Sequence, residues 1–210
     1  MNNYKFYFRK SSFKKDIKNG VFLLDLIDKF KPINFLEVGV LEGVTSRNIC
    51  EKLDKINKSK FKFIGIDLFG EDIDQNNLKE FTPISYKINN PFKWIYFNLI
   101  LRMKPNSKKC VEYLLKKFKD SIFLYKGYSK DLLKKIDISD IDFVFLDGGH
   151  SYQTVKEDLY LLISKLKNDS IVICDDYNIE HYGVKDAVNE IKSYHEFKSF
   201  GRFAFIKIKK

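Results

Sequence analysis

The segment at 142–159, DFVFLDGGHSYQTVKEDL, ends an apolar run on a carboxylate and then presents two glycines and a histidine. Asp147 is that carboxylate, and His150 follows three residues later, just before a pattern typical of a helix. Histidine changes its charge near neutral pH and is the side chain used most often for general acid–base catalysis. His150 is therefore a candidate catalytic residue, against the alternative of a structural or solvated histidine.

Two further carboxylates end another apolar run, SIVICDD at 170–176. In an open parallel sheet, ligands bind outside the carboxyl ends of the strands, so Asp147 would meet Asp175 and Asp176 if their strands are neighbours. Carboxylates held close together raise one another's pKa, and a hard divalent cation such as Mg²⁺ or Mn²⁺ relieves the repulsion. We predict a metal site at these three residues, against the alternative that one of the pair only caps a turn.

A glycine-containing turn follows the first apolar run, in LEVGVLEGVT at 36–45. Gly39 and Gly43 would let the backbone approach a ligand closely and leave helix N–H groups exposed to it, although their spacing differs from the GxGxxG of dehydrogenases. Asp67 ends the next apolar run, where a carboxylate can accept hydrogen bonds from both hydroxyls of a ribose. The glycines together with Asp67 favour a nucleoside ligand over two ordinary turns.

The elements that must position these residues are apolar runs alternating with amphipathic segments. The runs are apolar on both faces, as parallel strands covered by helices must be, and lie at 33–40, 61–69, 121–127, 141–147 and 170–176. Helical patterns span 11–30 and recur at 45–56, 107–118, 152–166 and 183–194. The dipeptide at 201–202 separates two last short runs as a hairpin turn. This order predicts one α/β domain over 1–210, with a doubly wound (Rossmann-like), mostly parallel sheet and an antiparallel C-terminal hairpin.

The stretch between the second and third strands is too long for one helix and two short loops. Loops of such length usually carry function or structure of their own. Within it, FKWIYFNLILRM is apolar nearly all round, so some other surface must bury it. We predict that residues 71–106 form a helical insert that is either a lid over a pocket or a contact in a homodimer.

Composition limits the kind of protein. The chain has 210 residues, is 44% hydrophobic and carries three widely spaced cysteines. No apolar run approaches the roughly 20 residues that span a bilayer, and we expect reduced cysteines and a soluble, cytoplasmic protein. The net charge is +10, but the lysines are dispersed along the chain. We therefore favour a solvated surface over a nucleic-acid footprint.

Five blocks, taken in order, resemble a known family. They are LEVGVLEGVTS, IGIDLF, YKGYSKDLL, LDGGHSYQTVKEDL and IVICDDYNIEHYGVKDAVNEI. Together they resemble the class I S-adenosylmethionine-dependent methyltransferases, and more narrowly the small bacterial enzymes related to macrocin and other sugar O-methyltransferases. The aspartate–glycine–histidine block and the double aspartate are the more specific parts, whereas the glycine turn alone is not specific.

The resemblance implies that S-adenosylmethionine is the cofactor. The glycine turn of the protein would line the methionine and ribose parts of this cofactor, and the acid that ends the second strand would hold the ribose. The end of the third strand would flank the adenine. The residues implied as cofactor-binding are Glu37, Gly39, Gly43, Asp67, Tyr128, Ser129 and Asp147.

The resemblance also implies a reaction. Asp147, Asp175 and Asp176 match the metal carboxylates of the family, and His150 occupies the place of its base. The expected activity is a divalent-metal-assisted transfer of a methyl group to a hydroxyl of a sugar, a glycoconjugate or another small polar acceptor.

Two alternatives stay open. The charge and the apolar insert are also compatible with a non-catalytic module that binds nucleic acid or a protein partner on the same fold. A methyltransferase acting on a phosphorylated or nucleotide-linked acceptor would likewise use a basic surface.

Overall fold

A computed structural model describes residues 3–70, 88–180 and 183–210. Its centre is a seven-stranded sheet in the order β3-β2-β1-β4-β5-β7-β6. The strands are β1 Asn34–Val38, β2 Lys62–Asp67, β3 Ile122–Lys126, β4 Phe143–Leu146, β5 Ile171–Cys174, β6 Glu196–Phe200 and β7 Phe203–Lys207. The helices are α1 Ile17–Phe30, α2 Val44–Asn57, α3 Pro91–Ile95, α4 Lys108–Leu115, α5 Ser129–Lys135, α6 Tyr152–Lys165 and α7 Val184–Ile191.

The sheet is parallel from β1 to β5 and antiparallel at its C-terminal edge. Strand β1 pairs with β2 on one side and with β4 on the other, and β7 pairs antiparallel with both β5 and β6. The strand order reverses between β1 and β4, which is where open α/β sheets bind their ligands. The predicted doubly wound sheet with a C-terminal hairpin is confirmed.

Alternating strand residues face two separate cores. On one face, Phe35 of β1 and Phe143 of β4 stack with a centroid distance of 5.2 Å beneath α1, α2 and α4. On the other face, Leu36 and Val144 pack against α5, α6 and α7. Burial on both faces explains why these strands read as continuous apolar runs and not as alternating ones.

The N-terminal segment 4–15 lies against the edge of the sheet where the parallel strands end. Tyr4 is buried, and its hydroxyl lies 2.8 Å from Oγ1 of Thr45 at the start of α2. The buried Arg9 donates hydrogen bonds to the carbonyl oxygens of Glu42 and Pro105, at 3.2 and 3.1 Å. The segment therefore ties the glycine turn to the chain beyond β2.

The predicted insert lies partly outside the described residues, since 71–87 are not among them. Its described part contains α3 and a π-helical turn, Tyr96–Ile100, that continues it. Phe97 is buried, whereas Phe92, Leu99 and Ile100 are 73%, 56% and 66% exposed. The helical character of this part agrees with the prediction, and what covers its apolar side stays open. Among the described residues no helix has the length and apolar character needed to span a membrane.

Candidate active site

The crevice between β1 and β4 is made by close backbone packing at Gly39. This residue has a φ of +93°, and a Cβ built on it would lie 2.0 Å from the carbonyl oxygen of Asp147. The N–H of Asp147 in turn donates to the carbonyl oxygen of Val38, at 2.8 Å. Only glycine fits at this position, so the turn after β1 and the acid after β4 form one wall.

Asp67 organises the glycine turn through its carboxylate. Oδ2 accepts the N–H groups of Val40 and Leu41 at 2.7 and 2.9 Å, and Oδ1 accepts the N–H of Phe69 at 2.6 Å. Burial raises the pKa of Asp67, and these three hydrogen bonds oppose the rise. A carboxylate offers about four acceptor positions, so capacity remains for a ligand hydroxyl.

Glu37 lies under the same turn and is fully buried. Ser46 Oγ donates a hydrogen bond to Glu37 Oε2, whereas Oε1 is buried without a hydrogen-bond partner among the described residues. Burial raises the pKa of Glu37 to about 8, and the charge of Asp67 adds to the rise. An orphaned buried acceptor beside the glycine turn fits a ligand that brings an N–H or O–H donor.

The remaining residues predicted to contact a cofactor flank this crevice. Gly43, with φ +76°, precedes α2, whose N-terminus has no side-chain cap. Tyr128 and Ser129 begin α5, next to Gly127, whose N–H donates to the carbonyl oxygen of Asp67 at 3.1 Å. Thus Glu37, Gly39, Gly43, Asp67, Tyr128, Ser129 and Asp147 all lie at or beside the strand ends from β3 to β4. This arrangement fits a nucleoside cofactor, and the individual contacts stay predictions.

The second part of the site is a carboxylate cluster at the ends of β4 and β5. Burial raises the pKa of Asp147 well above its usual range, and the nearby carboxylates of Asp175 and Asp176 raise it further. The Ser12 hydroxyl donates to Asp147 Oδ2 at 3.2 Å. The three acids are therefore brought together as their positions in the sequence predicted.

An arginine occupies the far side of this cluster. The Arg202 guanidinium donates from Nε to Asp175 Oδ1 and from Nη2 to Asp176 Oδ1. Asp175 Oδ1 also accepts the N–H of Asp176, at 2.8 Å, while Asp175 Oδ2 is buried without a partner among the described residues. The charge of Arg202 thus compensates part of the negative charge.

His150 lies on the open side of the cluster and faces Asp176. Its Nε2 is 3.1 Å from Asp176 Oδ2, and its side chain is 35% exposed. The carbonyl oxygen of His150 accepts the N–H of Gly183 at 2.8 Å, which fixes its backbone. A carboxylate at this distance orients an imidazole and fixes its tautomer.

One set of three side chains in the cluster is close enough together to hold a divalent cation. Ligand atoms of Asp147, His150 and Asp176 lie within 4.8 Å of one another. Asp175 lies outside this set, and its Oδ1 accepts hydrogen bonds from Arg202 and from a backbone N–H. An imidazole nitrogen suits transition-metal ions better than Mg²⁺, which prefers oxygen ligands. Metal binding at any of these residues stays a prediction.

Two contacting residues escaped the sequence analysis. Ser12 reaches Asp147 from 135 residues away in the chain, and Arg202 reaches Asp176 from 26 residues away. Neither has a motif around it. The only available signal was that Arg202 lies in a predicted hairpin turn, whose pairing partner could not be known before the strand order.

Comparisons with known proteins agree with this architecture. A family model described as a methyltransferase domain matches residues 36–177. No curated protein matches the sequence at a significant level.

Solved structures of several methyltransferases have a similar fold. CalS11, described as a calicheamicin methyltransferase, superposes with a TM-score of 0.65 at 14% identity, covering 94% of this chain and 81% of that chain. The O-methyltransferase NovP gives 0.62 at 19% identity, covering 93% and 80%. An O-methyltransferase from Bacillus cereus, solved with SAH, gives 0.60 at 12% identity, covering 95% and 84%. At such identities the likeness shows a shared fold.

Proposed function

The chain belongs to the methyltransferase-domain family, and from this premise we propose that it transfers the methyl group of S-adenosylmethionine to a hydroxyl of a small polar acceptor. The observation that carries the choice of a hydroxyl is the pair of His150 and Asp176, 3.1 Å apart, at the crevice edge. A hydroxyl must lose its proton during the transfer, and this pair is suited to accept it.

S-adenosylmethionine, when bound, supplies a methyl group on a positively charged sulfur. Glu37 and Asp67 offer acceptors at the glycine turn, as described above, and would hold the cofactor there. His150, which is paired with Asp176, would accept the proton of the acceptor hydroxyl while the methyl carbon passes from the cofactor sulfur to the hydroxyl oxygen. Asp176 would stabilise the resulting imidazolium.

The role of His150 is tested by His150→Gln and His150→Ala. We expect kcat to fall roughly 10²–10⁴-fold in both, the usual contribution of a general base. The Kd of S-adenosylmethionine should change little, because most of the cofactor residues lie at the ends of β1, β2 and β3. His195→Gln is a matched control, since His195 lies at the start of the C-terminal hairpin and accepts the N–H of Lys209. Near-normal kcat in a stable His150→Gln protein would exclude the base.

A divalent cation held by the carboxylates of Asp147 and Asp176 is a second element of the proposal, supported by the convergence of these acids. His150 is not a ligand in this proposal, because it accepts the proton. A bound cation would lower the pKa of the acceptor hydroxyl. We expect chelation to abolish turnover and Mn²⁺ or Mg²⁺ to restore it. Asp147→Asn should remove the response, whereas Asp186→Asn, on the exposed face of α7, should keep it. Unchanged turnover after exhaustive chelation would leave the acids as hydrogen-bonding groups only.

The acceptor class we propose is a sugar or glycoconjugate, including a nucleotide-linked sugar. A second structure of CalS11, without ligand, is described as a TDP-rhamnose 3'-O-methyltransferase and superposes with a TM-score of 0.62 at 13% identity, which supports testing this class first. The lysines beside Ser12 suit an anionic acceptor, because Lys10 and Lys14 lie in the segment that contacts Asp147.

A further inference from the structure

Arg202 is placed opposite Asp176 by the strand pairing. Strands β5 and β7 run antiparallel with Cys174 beside Ala204, so continuing the register by two residues brings Asp176 to Arg202. The turn that ends β6 is completed by Gly201, whose φ is +56°. The hairpin therefore places the positively charged side chain of Arg202 at the end of β5. No pattern in the sequence between β5 and β7 indicates this contact.

The backbone on both sides of this contact is fixed. The N–H of Tyr177 donates to the carbonyl oxygen of Arg202 at 2.8 Å, and Asn178 Nδ2 donates to the carbonyl oxygen of Gly201. Asp176 itself has a φ of +56°, a left-handed conformation that is uncommon outside glycine and is tolerated best by asparagine and aspartate. A residue held in this conformation at a site needs surrounding contacts to keep it there.

The two carboxylate oxygens of Asp176 have different partners. Oδ1 accepts from Arg202 Nη2, whereas Oδ2 lies 3.1 Å from His150 Nε2. The guanidinium plane is fixed in turn, because Nε is bonded to Asp175 and the group lies 5.6 Å from the ring centroid of the buried Phe13. One rigid cation thus determines which way the carboxylate of Asp176 points.

We infer that Arg202 is a positioning residue that holds Asp176 in the orientation in which it pairs with His150. This inference rests on the proposed function, because the pair matters only if His150 takes a proton. A purely structural alternative exists, in which Arg202 only anchors the hairpin to β5. The two differ in one respect: an anchor would affect stability without acting through His150.

The test is a double-mutant cycle with Arg202→Met and His150→Gln. Arg202→Met should lower kcat on the order of 10-fold to 100-fold, the usual cost of losing a partner that orients a reacting group. It should lower kcat no further in the His150→Gln protein, because the orientation no longer serves a base. An equal loss in both backgrounds, or a normal kcat in the single variant, would overturn the inference.

Arg202→Lys keeps the charge but cannot bridge two carboxylates with a planar fork, so its kcat should also fall and remain coupled to His150. This variant decides the question if the methionine variant does not fold. Lys207→Met is the matched control, because it removes an ion pair of 2.7 Å to Asp169 at the far end of β7, the strand that follows Arg202, without touching the cluster. Its kcat should be normal.

A crystal structure of the stable Arg202 variant separates this inference from the proposed function. If the wild type shows no methyl transfer to any hydroxyl, the proposed function fails. The crystal structure of the variant still shows whether the Asp176 carboxylate keeps its orientation toward His150. Asp176 turned away from His150 supports the positioning role, and Asp176 unchanged at hydrogen-bond distance overturns it.

Discussion

Glu37 is a residue whose environment makes a pH-dependent contribution to stability. Its pKa rises to about 8 in the folded protein from an ordinary value of 4.5, chiefly through burial. The folded state therefore binds more protons than the unfolded state between these values, and its stability falls as the pH rises through this window. The contribution of protonated Glu37 to the free energy of unfolding is fully present below about pH 4.5 and is lost as the pH rises to about 8.

We predict that Glu37→Gln flattens this part of the stability profile of the cofactor-free protein. Glutamine keeps the shape of the side chain but carries no charge that burial can penalise. Chemical denaturation at several pH values between 5 and 8 measures the slope. Glu112→Gln serves as the control, since its side chain is 48% exposed. Identical slopes in wild type and Glu37→Gln would contradict a raised pKa.

Site residues could be predicted from the sequence where one local pattern indicates both the place of a residue at a strand end and the role of its side chain. Gly39 follows β1 and Asp67 ends β2, and the hydrophobic pattern delimits both strands, so their place at the crevice could be anticipated. Asp175 shows the limit of this reasoning. Its position at the end of β5 was predicted, but which carboxylates face one another and which face Arg202 depends on rotamers and on a hairpin far along the chain.

At the scale of elements, the described part of the insert exposes apolar side chains that no other part of the described structure covers. Trp94, Leu99 and Ile100 are each about half exposed or more, at 48%, 56% and 66%, while Phe97 between them is buried. Phe97 packs on Tyr96 and lies under the Arg9 guanidinium at 5.2 Å, so one side of the π-helical turn is anchored. The exposed side is free to cover an acceptor or to meet another subunit.

We predict that Leu99→Ser with Ile100→Ser leaves the unfolding midpoint nearly unchanged, because exposed residues contribute little to the core. The pair should either raise the KM of the acceptor or lower the sedimentation coefficient, while the Kd of S-adenosylmethionine stays the same. Phe97→Ser is the contrast, and should destabilise the fold through loss of a buried aromatic side chain. If KM and sedimentation both match the wild type, the insert is a passive surface.

The elements themselves were largely predictable, since parallel strands buried on both faces read as short apolar runs. The structure places β1 to β5 within the predicted runs and gives the hairpin its expected two-residue turn. Helix α5 was not identified, because its seven residues are too few to establish a helical period. The N-terminal cover over the strand ends was also missed, since its contacts, such as Tyr4 with Thr45, join distant segments.

For the whole molecule, the strand order explains why residues from four segments meet in one place. The reversal between β1 and β4 puts the glycine turn beside Asp147, and the neighbouring β5 adds its two acids. The antiparallel β7 then brings Arg202 back to them. Sequence patterns give the strands but not this order, so the cofactor half of the crevice could be anticipated more completely than the charge balance of the acidic half.

The last whole-molecule property is the net charge of +10, which bears on the nucleic-acid alternative. Many lysines are paired with acids on separate elements, among them Lys62 with Asp140 at 3.1 Å and Lys117 with Asp54 at 2.7 Å. Such pairs interrupt a continuous phosphate-binding surface, so few phosphates should be neutralised at once.

We therefore predict weak RNA binding, with a slope of log affinity against log salt concentration shallower than about −2, which corresponds to roughly two or three phosphate contacts on a single strand. Fluorescence anisotropy of a labelled single-stranded RNA between low and physiological salt measures this slope. A steep slope, on the order of −6, with tight binding and no methyl transfer to a small hydroxyl acceptor, would favour a nucleic-acid-binding module instead.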